Sequence, residues 1–272
     1  MEKHFYYSSL ENTKLKNLIA DYGVLNQNSN YRVFTLSNPF AESVTSYYHK
    51  SIGGYHGAKL KRYQELIDFR IANETAFIQQ NINKVGLSVF ESTPTLNMLN
   101  TRYVILNPGG RPVQNPLALE NAWFVTDLKR VKDANDEIIS LSDSSLNLKT
   151  TAVVHDEFKN LVKVDNPDLA ASIRMTSYRP NLIKYVSSSA STQHAIFSEV
   201  YYPKGWNCYI NAKLTPYFRA NYILRGVTIP KGENNIEWRF EPETYFNSKT
   251  ISSFSSIFLL IICAFIFTKE LL

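Results

Sequence analysis

The sequence predicts an α+β chain: a mixed α/β N-terminal portion, a C-terminal antiparallel β-sandwich and one C-terminal transmembrane helix. Three observations predict it. Between residues 151 and 246, short segments rich in β-branched and aromatic residues recur, each bounded by Pro, Gly or Asn. In residues 1–150, stretches of helical period and stretches of strand character mix. Residues 250–268 read TISSFSSIFLLIICAFIFT, a run without a single charge.

In the first portion, residues 30–36 (NYRVFTL) predict a strand. Residues 59–71 predict a helix, because Leu60, Tyr63, Leu66, Ile67 and Ile71 fall near helical spacing. A short helix over 93–100 leads into a strand over 103–106, and 107–112 is a turn cluster. Residues 123–131 predict a strand and 133–146 a polar, linker-like stretch. In the second portion, strands are predicted over 172–178, 182–186, 194–202, 206–210, 213–219, 222–230 and 235–240. Asn211-Ala212 takes a two-residue hairpin position and Lys231-Gly232 closes another turn. The expected division is therefore 1–150, 151–246 and the span 250–268.

At about 1.5 Å rise per residue, the apolar run makes a helix roughly 28 Å long, close to the roughly 30 Å thickness of a bilayer's hydrocarbon core. Tyr245, Phe246 and Lys249 precede it, and Lys269 and Glu270 follow, as suits an interface. A lipid bilayer is thus the first expected partner. Arg239 and Lys249 before the span outnumber Lys269 after it, which by charge alone places the folded part in the cytoplasm. Residues 1–20 carry charges throughout and have no apolar core of a signal peptide.

Composition excludes several classes. Lys and Arg number 29 against 24 Asp and Glu, a net +5 spread along the chain, so no nucleic-acid partner is expected. The two cysteines, Cys208 and Cys263, exclude a disulfide scaffold and a Cys-rich zinc site. His49 and His56 stand seven apart with no matching carboxylate or thiol pattern, so no metal is expected. No cofactor motif is present: the 10 glycines form no phosphate loop, and no Gly-x-Ser-x-Gly element or Ser, His and Asp set stands out.

The densest polar constellation is residues 46–62. Its candidate ligand-binding residues are His49, Lys50, Gly53, Gly54, Tyr55, His56 and Lys59. Basic side chains, backbone approachable at glycine and aromatic rings suit a sugar-phosphate or lipid-phosphate head group. The plainer reading is a solvated basic loop ahead of a helix. Trp206 and Tyr202 form a weaker candidate platform for stacking on a sugar ring, against the plainer reading of core aromatics. Asp156-Glu157 reads as surface charge, since adjacent carboxylates on a strand face opposite ways.

Residues 201–242 carry Tyr202, Pro203, Gly205 and Trp206, then Arg219, Asn221 and Tyr222, then Pro230 and Gly232, then Phe240 and Pro242. In order and spacing this resembles the last extracytoplasmic strands of the bacterial YfhO-type multispanning membrane proteins. Residues 46–68 and 96–108 resemble the Bacteroidetes branch of the same family. The resemblance implies that the chain is the C-terminal extracytoplasmic region plus last helix of such a protein, with residues 1–248 outside the cytoplasm, against the charge count. It implies a glycosyltransferase-like fold that uses polyprenyl-phosphate-linked sugars, with the catalytic carboxylate in an early loop that this chain lacks. No catalytic residue is therefore assigned here. The implied role is to support sugar transfer to a cell-envelope glycan, with the carrier-linked sugar or the glycan and a membrane part of the same protein as partners. The alternative is a membrane-tethered carbohydrate-binding or interaction module without catalysis. Two departures stand out: no membrane helices precede the region, and Asn211 is followed by Ala212 where the family usually has Gly.

Overall fold

The computed structural model describes residues 30–270, except 56, 108–109 and 163–166; for residues 48 and 263–270 it describes the backbone alone. The chain opens with β1 (Arg32–Thr35) and α1 (Val44–Tyr48). A helical rod, interrupted at Gly86 (φ 60°) and Thr93, follows: α2 (Lys61–Leu66), a π-helical turn (Ile67–Ile71), α3 (Ala72–Val85), a 3₁₀ segment (Gly86–Ser92) and the short α4 (Pro94–Met98). Then come β2 (Thr101–Ile105), β3 (Val113–Gln114), β4 (Ala122–Val125), β5 (Asp127–Val131), α5 (Ala134–Ser140) and β6 (Thr151–His155). The strand-rich portion holds β7 (Ser172–Arg179), β8 (Leu182–Ser189), β9 (Gln193–Val200), β10 (Trp206–Ile210), β11 (Lys213–Thr215), β12 (Phe218–Ala220), β13 (Leu224–Ile229) and β14 (Gly232–Phe240). Helix α6 (Glu243–Glu270) ends the chain.

Three sheets result, in the orders β1-β2-β3, β11-β10-β14-β8-β7 and β4-β9-β13-β12-β6-β5. The pairing is mostly antiparallel, with β1–β2 and β5–β6 parallel. The α+β class holds. The expected boundary at residue 150 falls between strands of the six-stranded sheet, because β5 pairs with β6 and β4 with β9.

The six-stranded sheet is the middle layer, and strand alternation explains how. Ala195 and Phe197 of β9 join Tyr185, Cys208 and Trp238 in a core shared with the five-stranded sheet. Ile196, between them, joins the opposite core, with Leu66, Ile78, Phe90 and Leu96 of the helical rod. Each fully buried large ring, such as Phe197 or Trp238, stabilises by about 1.5–3 kcal/mol through removal from water.

Local chemistry sets several boundaries. The predicted strand over 213–219 divides into β11 and β12, which belong to different sheets. Pro216 lies between them and cannot donate to a ladder. The stretch over 133–146 is not a linker: Asp133 caps α5 by accepting from Asn135 and Asp136 N–H at 2.8 and 2.9 Å, and Glu137 and Ile138 are buried. Asn211 and Ala212 both take positive φ, 49° and 63°, giving the tight β10–β11 hairpin.

The backbone of α6 is helical through the apolar run. Among the described residues, no helix is long and apolar enough to cross a membrane.

Candidate functional site

The end of β9 organises the site. Leu224 pairs with Val200 but the next residue, Arg225, pairs with Phe197, so Ser198 and Glu199 bulge out of the ladder. Arg32, arriving on β1, holds the bulge. Its guanidinium donates to the Ser198 hydroxyl at 2.7 Å, the Ser198 carbonyl at 2.5 Å, the Leu99 carbonyl at 2.9 Å and the Glu199 carboxylate at 3.0 Å.

Three adjoining cavities line this seam. The first, about 340 Å³, is walled by His49, Lys50, Tyr178 and Glu199. The second, about 250 Å³, is walled by Gly53, Gly54, Lys59, Ser198 and Val200. Arg32 and Ser51 border both. The third, about 390 Å³, is walled by Arg62, Tyr202, Lys204, Arg219 and Tyr222, and shares Tyr63 and Val200 with the second.

Most of the predicted anion-binding residues thus meet along one seam. The Lys50 ammonium lies 3.1 Å from the Tyr178 ring centroid and donates to Asn30. Burial pushes its amine down to about 8, against the pull of Glu199. Lys59 lies 5.3 Å from the Phe40 ring centroid. The backbone amides of Gly53, Gly54 and Tyr55 donate within the protein, to the Ser51 hydroxyl (2.9 Å), the Pro39 carbonyl (2.7 Å) and the Glu42 carbonyl (2.9 Å). Glycine at 53 and 54 therefore serves close backbone packing: a Cβ on Gly53 would stand 2.2 Å from the Pro39 oxygen, and Gly54 has φ +114°. Tyr55 is exposed and His56 lies outside the described residues. Of the stacking pair, Tyr202 lines the third cavity. Trp206 instead packs 5.3 Å from the Phe240 ring, under the Arg225 guanidinium at 4.2 Å.

The third cavity rests on a network that single-residue reading does not find. Asn221 and Tyr222 both take left-handed backbone, φ 47° and 71°, which Asn tolerates and Tyr does not without support. The support is visible. The Asn221 side chain and amide bracket Val153, each at 2.8 Å, and the Tyr222 amide donates to Glu137 at 3.1 Å. Glu137, wholly buried, also accepts from Arg62 at 3.0 Å and lies 3.6 Å from Arg219. Arg219 pairs with Glu157 at 2.8 Å, and the Tyr222 hydroxyl donates to Glu65 at 2.5 Å. Burial and Glu65 push that phenol up to about 12. Glu157 is thus an ion-pair partner of the site rather than loose surface charge.

A second lock closes the strands ahead of α6. A Cβ on Gly205 would stand 2.3 Å from the Phe240 ring, so only glycine fits there. The Glu241 amide donates to the Gly205 carbonyl at 2.6 Å.

Residues 110–252 match the sequence profile described as bacterial membrane protein YfhO, more than half of the 272 residues. The chain belongs to the YfhO family. The matched region takes in both locks: Gly205, Trp206 and Phe240 in one, Arg219, Asn221 and Tyr222 in the other. The segment 46–62 lies outside it. No curated protein and no solved structure matches the chain.

Proposed function

We propose that this chain is the extracytoplasmic part of a YfhO-type membrane protein and supports transfer of sugar from a polyprenyl-phosphate carrier to a cell-envelope glycan, without supplying the catalytic group. In this reading α6 anchors the chain in the bilayer over residues 250–268, and the seam holds the carrier's phosphate and first sugar next to a membrane part of the same protein. One observation carries it: the cations of segment 46–62 and the aromatic and basic residues of the family region converge on one continuous seam. Among the described residues neither Lys59 nor Lys204 has a carboxylate partner, so both ammonium groups can serve a phosphate. Tyr202 in the third cavity offers its ring to a sugar, while Tyr222, buried under Arg62, only braces the wall.

The test is titration of the full chain in detergent with undecaprenyl phosphate, with undecaprenol as the uncharged control. Saturable binding of the phosphate alone is expected, weakened at least tenfold, about 1.4 kcal/mol, in the Lys59→Ala/Lys204→Ala double variant. Equal binding of phosphate and alcohol, or an unchanged affinity in a folded double variant, overturns the reading.

A further inference from the structure

A fourth cavity lies away from the seam, and it is the largest of those described, about 680 Å³. Its walls are the 3₁₀ segment at Glu91, the loop over 116–120 and the loop over 144–149. One strand entry divides it from the seam. Asn121 borders the first seam cavity, while its neighbours Glu120 and Ala122 border the fourth. Glu120 takes left-handed backbone, φ 66°, so the chain turns at this point before entering β4.

The two sides differ in charge. Along the seam the cations outnumber the one carboxylate, Glu199; the fourth cavity has Glu91 and Glu120 against the single amine of Lys149. A phosphate or carboxylate ligand meets repulsion there. Uncharged hydroxyls do not, since carboxylates, the Ser144 hydroxyl and the Asn147 amide all pair with them. The Asn147 oxygen accepts the Lys149 amide at 3.0 Å, which leaves its NH₂ to donate outward. Leu119 and Trp123 supply apolar floor for the C–H faces of a sugar ring.

The walls are tied in place. The Trp123 indole donates to the Leu148 carbonyl at 3.0 Å, joining β4 to one loop. The Leu119 amide donates to the Asn97 carbonyl at 2.9 Å, joining the other loop to α4. Such bracing lowers the ordering cost of binding. Its volume falls in the ordinary range of small-molecule sites.

The geometry points to this cavity as a binding site for a short, uncharged oligosaccharide, separate from the anionic ligand of the seam. The proposal does not depend on the function proposed above. The experiment titrates the full chain in detergent with maltotriose, cellotriose and triacetylchitotriose, with trigalacturonate as the anionic counterpart, by calorimetry. At least one uncharged trisaccharide should saturate, and trigalacturonate should bind at least tenfold more weakly. Asn147→Ala, on an exposed loop, and Glu120→Gln should each weaken binding at least fivefold without lowering Tm. Lys59→Ala/Lys204→Ala should leave it unchanged. The site is overturned if no uncharged trisaccharide saturates by 10 mM, if trigalacturonate binds equally, or if folded Asn147→Ala binds as the parent does. Should Glu120→Gln fail to fold, Asn147→Ala alone decides.

Discussion

Replacing Glu137 by alanine removes the acceptor shared by the helical rod, α5 and the β12–β13 turn. The carboxylate is wholly buried and serves Arg62 at 3.0 Å, the Tyr222 amide at 3.1 Å and Arg219 at 3.6 Å. Breaking a buried ion pair by deleting one partner costs about 3–5 kcal/mol, and an orphaned buried N–H about 1–3 kcal/mol. Two features pull the sum to its lower end. The Arg62 side chain is 32% exposed and can recover water, and Arg219 keeps Glu157 at 2.8 Å. A loss of about 3 kcal/mol follows, which for a chain of this size lowers Tm by roughly 6–12 °C. Glu137→Gln keeps an oxygen for the Tyr222 amide but not the charge, and should fall between. Thermal unfolding of the full chain in detergent, read by fluorescence of Trp123, Trp206 and Trp238, measures both. A Tm for Glu137→Ala within about 2 °C of the parent refutes the reasoning, and so does Arg219→Ala costing as much in the Glu137→Ala background as in the parent.

Two further perturbations have defined signs. Ala212→Gly relieves a residue held at φ 63°, so it should stabilise by about 0.5–1 kcal/mol in the same unfolding assay; a loss of stability would contradict the hairpin geometry. Burial pushes the Glu74 carboxyl up to about 7 from 4.5, against the Thr95 and Leu96 amides that donate to it at 2.9 Å. The folded state therefore takes up a proton that the unfolded chain releases, so this group's stabilisation is full below about pH 4.5 and is lost as pH rises through about 7. Tm should fall between pH 5 and 8, and Glu74→Gln should flatten that slope; an unaltered slope in the variant would show that Glu74 does not cause it.

Most strands over 172–240 were legible because each is short, rich in β-branched and aromatic residues and bounded by Pro, Gly or Asn; the split of 213–219 into β11 and β12 was not. The hairpin at Asn211-Ala212 was legible for the same local reason. What escaped depends on distant partners. Residues 133–146 look like a linker until Glu137 meets Arg62, 75 residues away in sequence. Arg32 carries no local signal, since its role comes from a bulge in β9 about 166 residues later. Lys50 and Lys59 were legible as part of a basic, aromatic segment; across the seam, Arg219 stood out only through the family resemblance and Lys204 not at all. Gly53 and Gly54 drew attention as backbone open to a ligand, and their amides instead donate to Ser51 and Pro39. A glycine is visible in a sequence, but the atom that crowds it is not.

The join between β14 and α6 has a mechanical consequence. Only Glu241 and Pro242 separate Phe240 from the first helical residue, Glu243. The Glu241 carboxylate accepts from Asn207 and Tyr209, each at 3.0 Å, while its amide is held by Gly205. Pro242 fixes its own φ, and its carbonyl accepts the Tyr245 amide at 3.0 Å. The connection leaves no slack in which to swivel. Tilting the helix must turn the five-stranded sheet with it, so the axis of α6 acts as a rudder that sets which way the folded body points.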